Sequence, residues 1–438
     1  MRIILLLIAA LNLSVFGVYG QTAGGYAPES ESTLLSSQVA GSAPSQPAHL
    51  PPLTVELALS LAEQNSPVLT EAIAAVNRSQ AGIQTAKAYT NPSVEFLAGH
   101  QSARPIATPG VPGTLLHYSA GQAIEIPMER RNRIRASQLN HAGTQFRLEG
   151  VRLSLAADVR RAFYDVIRRK QQLGQANDNL SLVDDLRHRV RLEVEVGEKG
   201  KLELTRAEAE YARAHAAVRS AEVQLTNAKA ILKAVIGSFS DETFDVEGSL
   251  GEGAQIEPLN EMRKQVLATH PALSEANATT ERSRAQVEQE RARRIPEPNL
   301  FGEYEKQPDI TFYRFGVSIP LPLWDRRKGP IAEAKAEVDR SEAAARQRRL
   351  EIMAALERAY DQYQINNQQV EGLQAGSLRE AEAAVEAARS AYKFGERGIV
   401  EVLDAQRVLQ GVRSDLLEAL FARRSALIDL EELGATQH

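Results

Sequence analysis

Glu401 and Asp404 stand three residues apart, just beyond the glycine-flanked stretch Gly395-Glu396-Arg397-Gly398. On a helix, carboxylates at that spacing share one face. Such a pair could exchange protons with a substrate, draw in a cation, or merely face water in a first helical turn, where the dipole favours acids. The rest of the chain offers the pair no catalytic partners. There is no G-x-S-x-G elbow, no phosphate-binding loop, no H-E-x-x-H and no dinucleotide glycine fingerprint. The eight histidines are scattered, with no His-x3-His and no histidine–carboxylate cluster, so no metal site is expected. Cysteine is absent, which removes disulfides, thiolate metal sites and a lipidated N-terminal cysteine. The expectation is a protein that is not an enzyme, has no catalytic residues and needs no cofactor.

The elements that would position those acids are long helices. Ala, Glu, Arg, Gln and Leu dominate, aromatics are only 5%, and the net charge of −5 has both signs interspersed. That composition suits long helices and leaves no basic field for nucleic acid. Residues 1–20 carry Arg2, an apolar run and the small-residue end Val18-Tyr19-Gly20, the pattern of a cleaved signal peptide. The alternative, a membrane anchor, is disfavoured because the run is short and is broken by Asn12 and Ser14. No later segment is apolar enough for a transmembrane helix. An exported bacterial chain of this kind stays in the periplasm or crosses the outer membrane on β-strands. Residues 21–52, rich in Ser, Pro, Gly and Ala, read as a flexible lead-in.

From Leu53 onward the chain repeats itself. LAEQNSPVLTEAIAAV (61–76) is answered by VLATHPALSEANATT (266–280), IEIPMERRNRIRAS (124–137) by SIPLPLWDRRKGPIAEA (318–334), and VGEKGKLELTRAEAE (196–210) by FGERGIVEVLDAQR (394–407). This predicts two structural repeats, 53–237 and 259–434, joined by an acidic, glycine-rich linker 238–258 and followed by a tail 435–438. Each repeat opens with two short helices split at an x-Pro step, Ser66-Pro67 or His270-Pro271. Two alternating, extended segments follow: about 92–101 and 114–127 in the first repeat, about 298–306 and 310–320 in the second. Two long helices close each repeat, about 131–195 and 201–236, then about 330–394 and 399–433. No proline interrupts the chain between Pro330 and Gly395, so that helix can run for roughly 100 Å. Seam residues step by three and four along it, at Met353, Leu356, Tyr360, Tyr363, Asn367 and Val370, and along the last helix at Leu409, Val412, Leu416, Ala419, Arg423, Ala426, Leu430 and Leu433. The partly polar seam suits multi-helix coiled-coil packing. Trp324, just after the second strand pair, reads as core at the strand–helix junction in preference to an interface anchor.

Four strands cannot close a membrane barrel within one chain, and open edges are forbidden in lipid. Three chains would supply about twelve strands, a workable barrel. SIPLPLWDRRKG (318–329), the Y-x-x-G-x5-E-V-L-D-A-Q-R run at 392–407, the Asn-Pro and Pro-Asn strand entries and their duplication resemble the TolC family of outer-membrane efflux channels, from about Leu53 to Gly434. GQAIEIPMERRNRIRAS and IPLPLWDRRKGPIAEA are most similar to its CzcC-type heavy-metal branch. The resemblance implies a mainly α fold with a small β part, a homotrimer with a 12-stranded outer-membrane β-barrel and a periplasmic α-helical barrel. It implies a passive exit duct in a tripartite efflux system, working with a periplasmic adaptor (membrane fusion protein) and an inner-membrane RND pump, with heavy-metal cations as one substrate class.

By the same resemblance Glu401 and Asp404 are acidic aperture rings, and Tyr392 and Arg397 form a tip latch, with Glu203 as the tyrosine's acidic partner. Gly197, Gly200, Gly395 and Gly398 belong to tip turns that face the adaptor. Two other readings use the same residues: the outer-membrane component of type I protein secretion, and a periplasmic coiled-coil structural protein.

Overall fold

A computed structural model describes residues 52–102, 112–237, 244–251 and 253–435. The expected signal peptide (1–20) and all of the lead-in (21–52) except Pro52 lie outside the described residues. The described chain runs through α1 (Val55–Asn65), α2 (Pro67–Lys87), β1 (Ser93–Gln101), β2 (Gly113–Ala123), α3 (Pro127–Glu195) and α4 (Lys201–Ile236). It then repeats that order with α5 (Leu259–Thr269), α6 (Pro271–Ala292), β3 (Asn299–Lys306), β4 (Thr311–Ser318), α7 (Lys328–Gly372), a π-helical turn (Leu373–Ser377), α8 (Leu378–Lys393) and α9 (Ile399–Glu432).

Local chemistry explains the boundaries. Thr54 caps α1 by accepting from the Leu57 amide at 3.3 Å, and Pro67, Pro127 and Pro271 each stand in a first helical turn, where a missing N–H costs nothing. β2 stops at Ala123, short of the expected 127, because α3 already begins at Pro127 and residues 124–126 connect the two. The expected single helix over 330–394 carries one correction. It stays helical, but its hydrogen bonding widens to a π turn at Leu373–Ser377, bounded by Gly372 and containing Gly376. Its counterpart α3 runs 69 residues without a break, a length of about 100 Å. Gly237 ends α4 at φ +77 with the position of a Cβ only 2.6 Å from the Asn65 carbonyl, so a side chain there meets both strain and a clash.

All four strands form one antiparallel sheet in the order β1-β2-β3-β4. The helices pack as a layer in which α3 contacts α2, α4, α6 and α9, while α7 contacts α6 and α9. One core cluster gathers Phe163, Val159, Val166, Leu232 and Leu250 with Leu53 and Ile428. A second gathers Met262, Leu356, Tyr363, Leu427 and Leu430. The described part of the linker joins both: Leu53 and Val246 form a parallel bridge, and the Tyr363 hydroxyl donates to the Ala254 carbonyl at 2.5 Å. Arg423, at a seam position of α9, is buried because it reaches Asn367 Oδ1 (3.1 Å) and the Gly251 carbonyl (2.9 Å). A polar seam residue is tolerated when every donor finds such a partner.

His270 gives this middle region a pH dependence. Its Nδ1 accepts from the Ala272 amide at 3.1 Å and so caps α6, which requires the neutral imidazole. Burial, with Arg348 adding repulsion, pushes its pKa below the ordinary 6.5. The unfolded chain therefore takes up this proton first, so the stabilisation is complete above pH 6.5 and fades as pH falls through the folded value. Thermal melts of the detergent-solubilised protein at pH 8 and pH 5 should show this loss. His270→Asn, which keeps a capping oxygen, should remove the histidine's share of it, and His270→Ala should cost about 1 kcal/mol at pH 8.

Candidate functional site

The sheet and the helical hairpin tips lie at opposite ends of α3, and each carries a distinct arrangement of side chains. In the sheet, register puts Phe96, Tyr118, Tyr304 and Tyr313 in one row across all four strands, with neighbouring ring centroids 4.8, 6.0 and 5.1 Å apart. Val94, Leu116, Leu300, Phe315 and Val317 share that face by alternation. Phe315 is 85% exposed and Val94 80% exposed, so an apolar, aromatic face meets no core of its own. The other face carries Glu95, Ser119, Glu303 and Arg314 in one row, with Arg314 bridging Glu303 and Glu305 at 3.0 Å each. Gly302 and Gly316 let aromatics lie across the strands: the Phe315 ring covers Gly302 and the Phe301 ring covers Gly316. Among the described residues β1 and β4 each leave one edge unpaired. Among the described residues no helix is long and apolar enough to cross a membrane.

At the other end the two hairpin turns share one geometry. In the first, the Gly197 and Glu198 amides donate to the Val194 and Glu193 carbonyls; in the second, the Gly395 and Glu396 amides donate to those of Tyr392 and Ala391. Both are Schellman turns, and Gly197 and Gly395 take the left-handed position with φ of 83° and 76°. Gly200 and Gly398 cap the following helices with φ of −83°, so any residue could adopt their backbone. Val190, Ala207, Ile399 and Leu403 pack the two tips together, with Tyr392 against them.

Within that cluster the Tyr392 hydroxyl donates to Glu193 Oε2 at 2.6 Å. The expected partner, Glu203, is not the acceptor; that place is taken by Glu193, near the end of α3. Burial first, then the Glu193 contact and the Glu203 charge, hold the phenol well above its ordinary pKa, so it stays a donor. Arg407 on α9 adds a second tie, to Glu210 on α4 at 2.9 Å. Nothing in the spacing marked Glu193, Glu210 or Arg407; the one available signal was that a half-buried tyrosine hydroxyl needs an acceptor.

Glu401 and Asp404 are exposed in the first turns of α9, and neither enters an ion pair or hydrogen bond among the described residues. Glu401 folds back over Gly398, with Oε2 3.3 Å from where a Cβ would sit. Arg397 is exposed on the turn with no side-chain partner among the described residues. The tip therefore presents two exposed carboxylates, Asp404 within the field of Arg407, an exposed guanidinium and a hydrogen-bonded tyrosine. A cleft of about 1200 Å³ between α3, α6, α7 and α9 is lined by Arg147, Arg348 and Arg358 against Glu275, Glu351 and Asp429, which leaves no field of one sign. Among the described residues no cluster of three or more histidines or carboxylates has metal-holding geometry.

Removing the tyrosine hydroxyl should loosen the tip. A hydrogen bond to a charged group contributes about 1.5–3 kcal/mol, so Tyr392→Phe and Glu193→Gln are each expected to lower the protection of the tip amides in hydrogen exchange. Arg397→Ser should add little to that, since Arg397 has no side-chain partner among the described residues.

Comparison with known proteins gives the family and the fold. The family model described as "Outer membrane efflux protein" matches residues 58–238 and 262–435. The cobalt-zinc-cadmium resistance protein CzcC of Cupriavidus metallidurans is 26% identical over 374 residues, covering 84% of this chain and 87% of that protein. The nickel-cobalt-cadmium resistance protein NccC of Alcaligenes xylosoxydans xylosoxydans is 28% identical over 319 residues, 72% of this chain and 71% of that protein. Among solved structures, a CusC crystal structure described in terms of folding and transmembrane channel formation superimposes with a TM-score of 0.74 at 19% identity, over 86% of this chain and 90% of that one.

Proposed function

The chain belongs to the outer membrane efflux protein family, and from that premise we propose that it is the exit duct of a tripartite pump for heavy-metal cations. The observation that carries the reading is the four-stranded sheet, with one apolar aromatic face, one charged face and two open edges. Such a sheet suits lipid on one side and water on the other, but only when neighbours close its edges. Three copies then give one twelve-stranded barrel, and their α3–α4 and α7–α9 helices continue it as a tube into the periplasm. The Schellman turns at Gly197 and Gly395 reach an adaptor, and an inner-membrane RND pump supplies the energy. The two repeats, 53–237 and 259–434, each contribute two strands and two tube helices.

In this reading the duct does no chemistry. Glu401 and Asp404 form two rings of three like charges, which attract cations and repel anions. Tyr392 with Glu193, and Arg397, restrain the tips until a partner docks. The names of the relatives that resist cobalt, zinc, nickel and cadmium support cations as cargo. A strain lacking this chain should become sensitive to those metals and regain resistance with the intact gene. Unchanged metal resistance together with new sensitivity to dyes or detergents would point the same duct at another cargo.

A further inference from the structure

We propose that the four strand–helix junctions form a collar that binds anionic phospholipid headgroups in the membrane leaflet next to the helices. The inference rests on the barrel reading above and goes beyond it in assigning a ligand to the barrel's rim. Each junction pairs an exposed large apolar side chain with an exposed cation. After α2 these are Tyr89, 69% exposed, and Lys87. After β2 they are Met128, 61% exposed, and Arg131. After α6 they are Ile295, 51% exposed, and Arg294. After β4 they are Leu321, Leu323 and Trp324, the last 93% exposed, followed by Arg326 and Lys328. Trp324 is thus not the core residue that its place in the sequence suggested.

The collar's other arginines are already engaged, and this separates the two sets. Arg133 donates to Glu125 and to the Ala86 and Ala88 carbonyls, at 3.1 and 3.2 Å for the carbonyls. Arg130 donates to the Lys87 carbonyl at 2.7 Å and stacks over Tyr89. Arg293 pairs with Glu129 (2.6 Å) and Glu290 (2.8 Å), and Arg327 with Glu290 (2.6 Å). Asp325 accepts from the Arg327 amide at 2.7 Å. Glu125, Glu129, Glu290 and Asp325 are thereby taken up by structural partners and Glu297 shares a hydrogen bond with Glu129, while Lys87, Arg131, Arg294, Arg326 and Lys328 have no side-chain partner among the described residues.

The cations also gather at one end. The far end of the described sheet carries Lys306 beside the turn Gln307-Pro308-Asp309-Ile310, with no comparable set. An apolar or aromatic group beside a free cation, repeated where an apolar sheet face stops, matches the two halves of an anionic phospholipid: acyl chain and phosphate. Continuity with the lipid-facing aromatic row and the charge complementarity fix that occupant.

The chain has one tryptophan, and it stands in the collar, so Trp324 fluorescence reports the site directly. The full-length channel is reconstituted in phosphatidylcholine vesicles containing equal mole fractions of either dibrominated phosphatidylglycerol or dibrominated phosphatidylcholine. Trp324 should emit in the blue and be quenched preferentially by the phosphatidylglycerol, by about fivefold in relative affinity for each cation engaged. The preference should shrink as salt rises and vanish in Arg326→Gln/Lys328→Gln, with the emission still blue. Equal quenching by the two lipids in the native channel overturns the anionic site. Blue emission with no quenching means that a neighbouring copy covers Trp324, and red emission means that it stands in water; either overturns the proposal. A channel that inserts and conducts but quenches equally defeats the collar alone. A chain that neither inserts nor conducts defeats the barrel reading and the collar with it.

Discussion

Phe315→Arg should be exported but should fail to appear as an assembled species in the outer membrane. Phe315 lies in the middle of β4 on the apolar face and is 85% exposed. An arginine near the middle of a lipid-facing strand costs about 2–4 kcal/mol, and a trimer meets that cost three times. Its ring also covers Gly302, with ring atoms 3.2 Å from where a Cβ would sit, so part of any effect comes from lost cross-strand packing. Phe315→Ala isolates that part, because it removes the ring without placing charge in lipid, and it should still insert. Ser119→Arg gives the opposite control: Ser119 faces the charged side, opposite Glu95 and Glu303, and the variant should insert normally. Outer-membrane fractionation followed by unheated gel electrophoresis reads all three. If Phe315→Arg assembles as well as Ser119→Arg, the apolar face does not meet lipid.

Glu401→Gln with Asp404→Asn should leave the channel assembled and remove most of its preference for cations. Both carboxylates are exposed and enter no ion pair among the described residues; Arg407, one turn on from Asp404, offsets part of that charge but also serves Glu210. Removing both takes six negative charges from the rings in a trimer. Charged constrictions enrich their counter-ion by 10-fold or more, so the cation-to-anion permeability ratio, read from the reversal potential in a potassium chloride gradient, should fall by about that factor. Glu203→Gln should change selectivity little, since Glu203 is half-buried and its charge acts on the Tyr392 phenol. A double variant as cation-selective as the native channel would return the two acids to the blander role of first-turn residues that favour the helix dipole.

Much of this was legible from residue order. The period of two in the sheet segments and the period of three to four in the long helices are local properties, so strands and helices fell within a few residues of their expected bounds. The repeated glycine turns were legible for the same reason: a Schellman turn needs a residue at positive φ, and glycine supplies it at Gly197 and Gly395. What stayed hidden depends on distance in sequence. Tyr392 meets Glu193, 199 residues away, and no spacing rule selects that acid over Glu203. Arg423 stands at a seam position, and spacing alone does not reveal that its partners are Asn367 and a linker carbonyl. The π turn at Leu373–Ser377 had only Gly372 and Gly376 to announce it. Trp324 was misplaced because aromatic residues after a strand suit a core as well as a membrane rim, and only exposure separates the two.

The central claim is that three copies of this chain close one barrel, and its mass tests that most directly. Native mass spectrometry of the protein released by detergent from outer membranes should give three copies of the 47.9 kDa chain, less any leader removed on export. A single copy recovered from the soluble periplasm would contradict it.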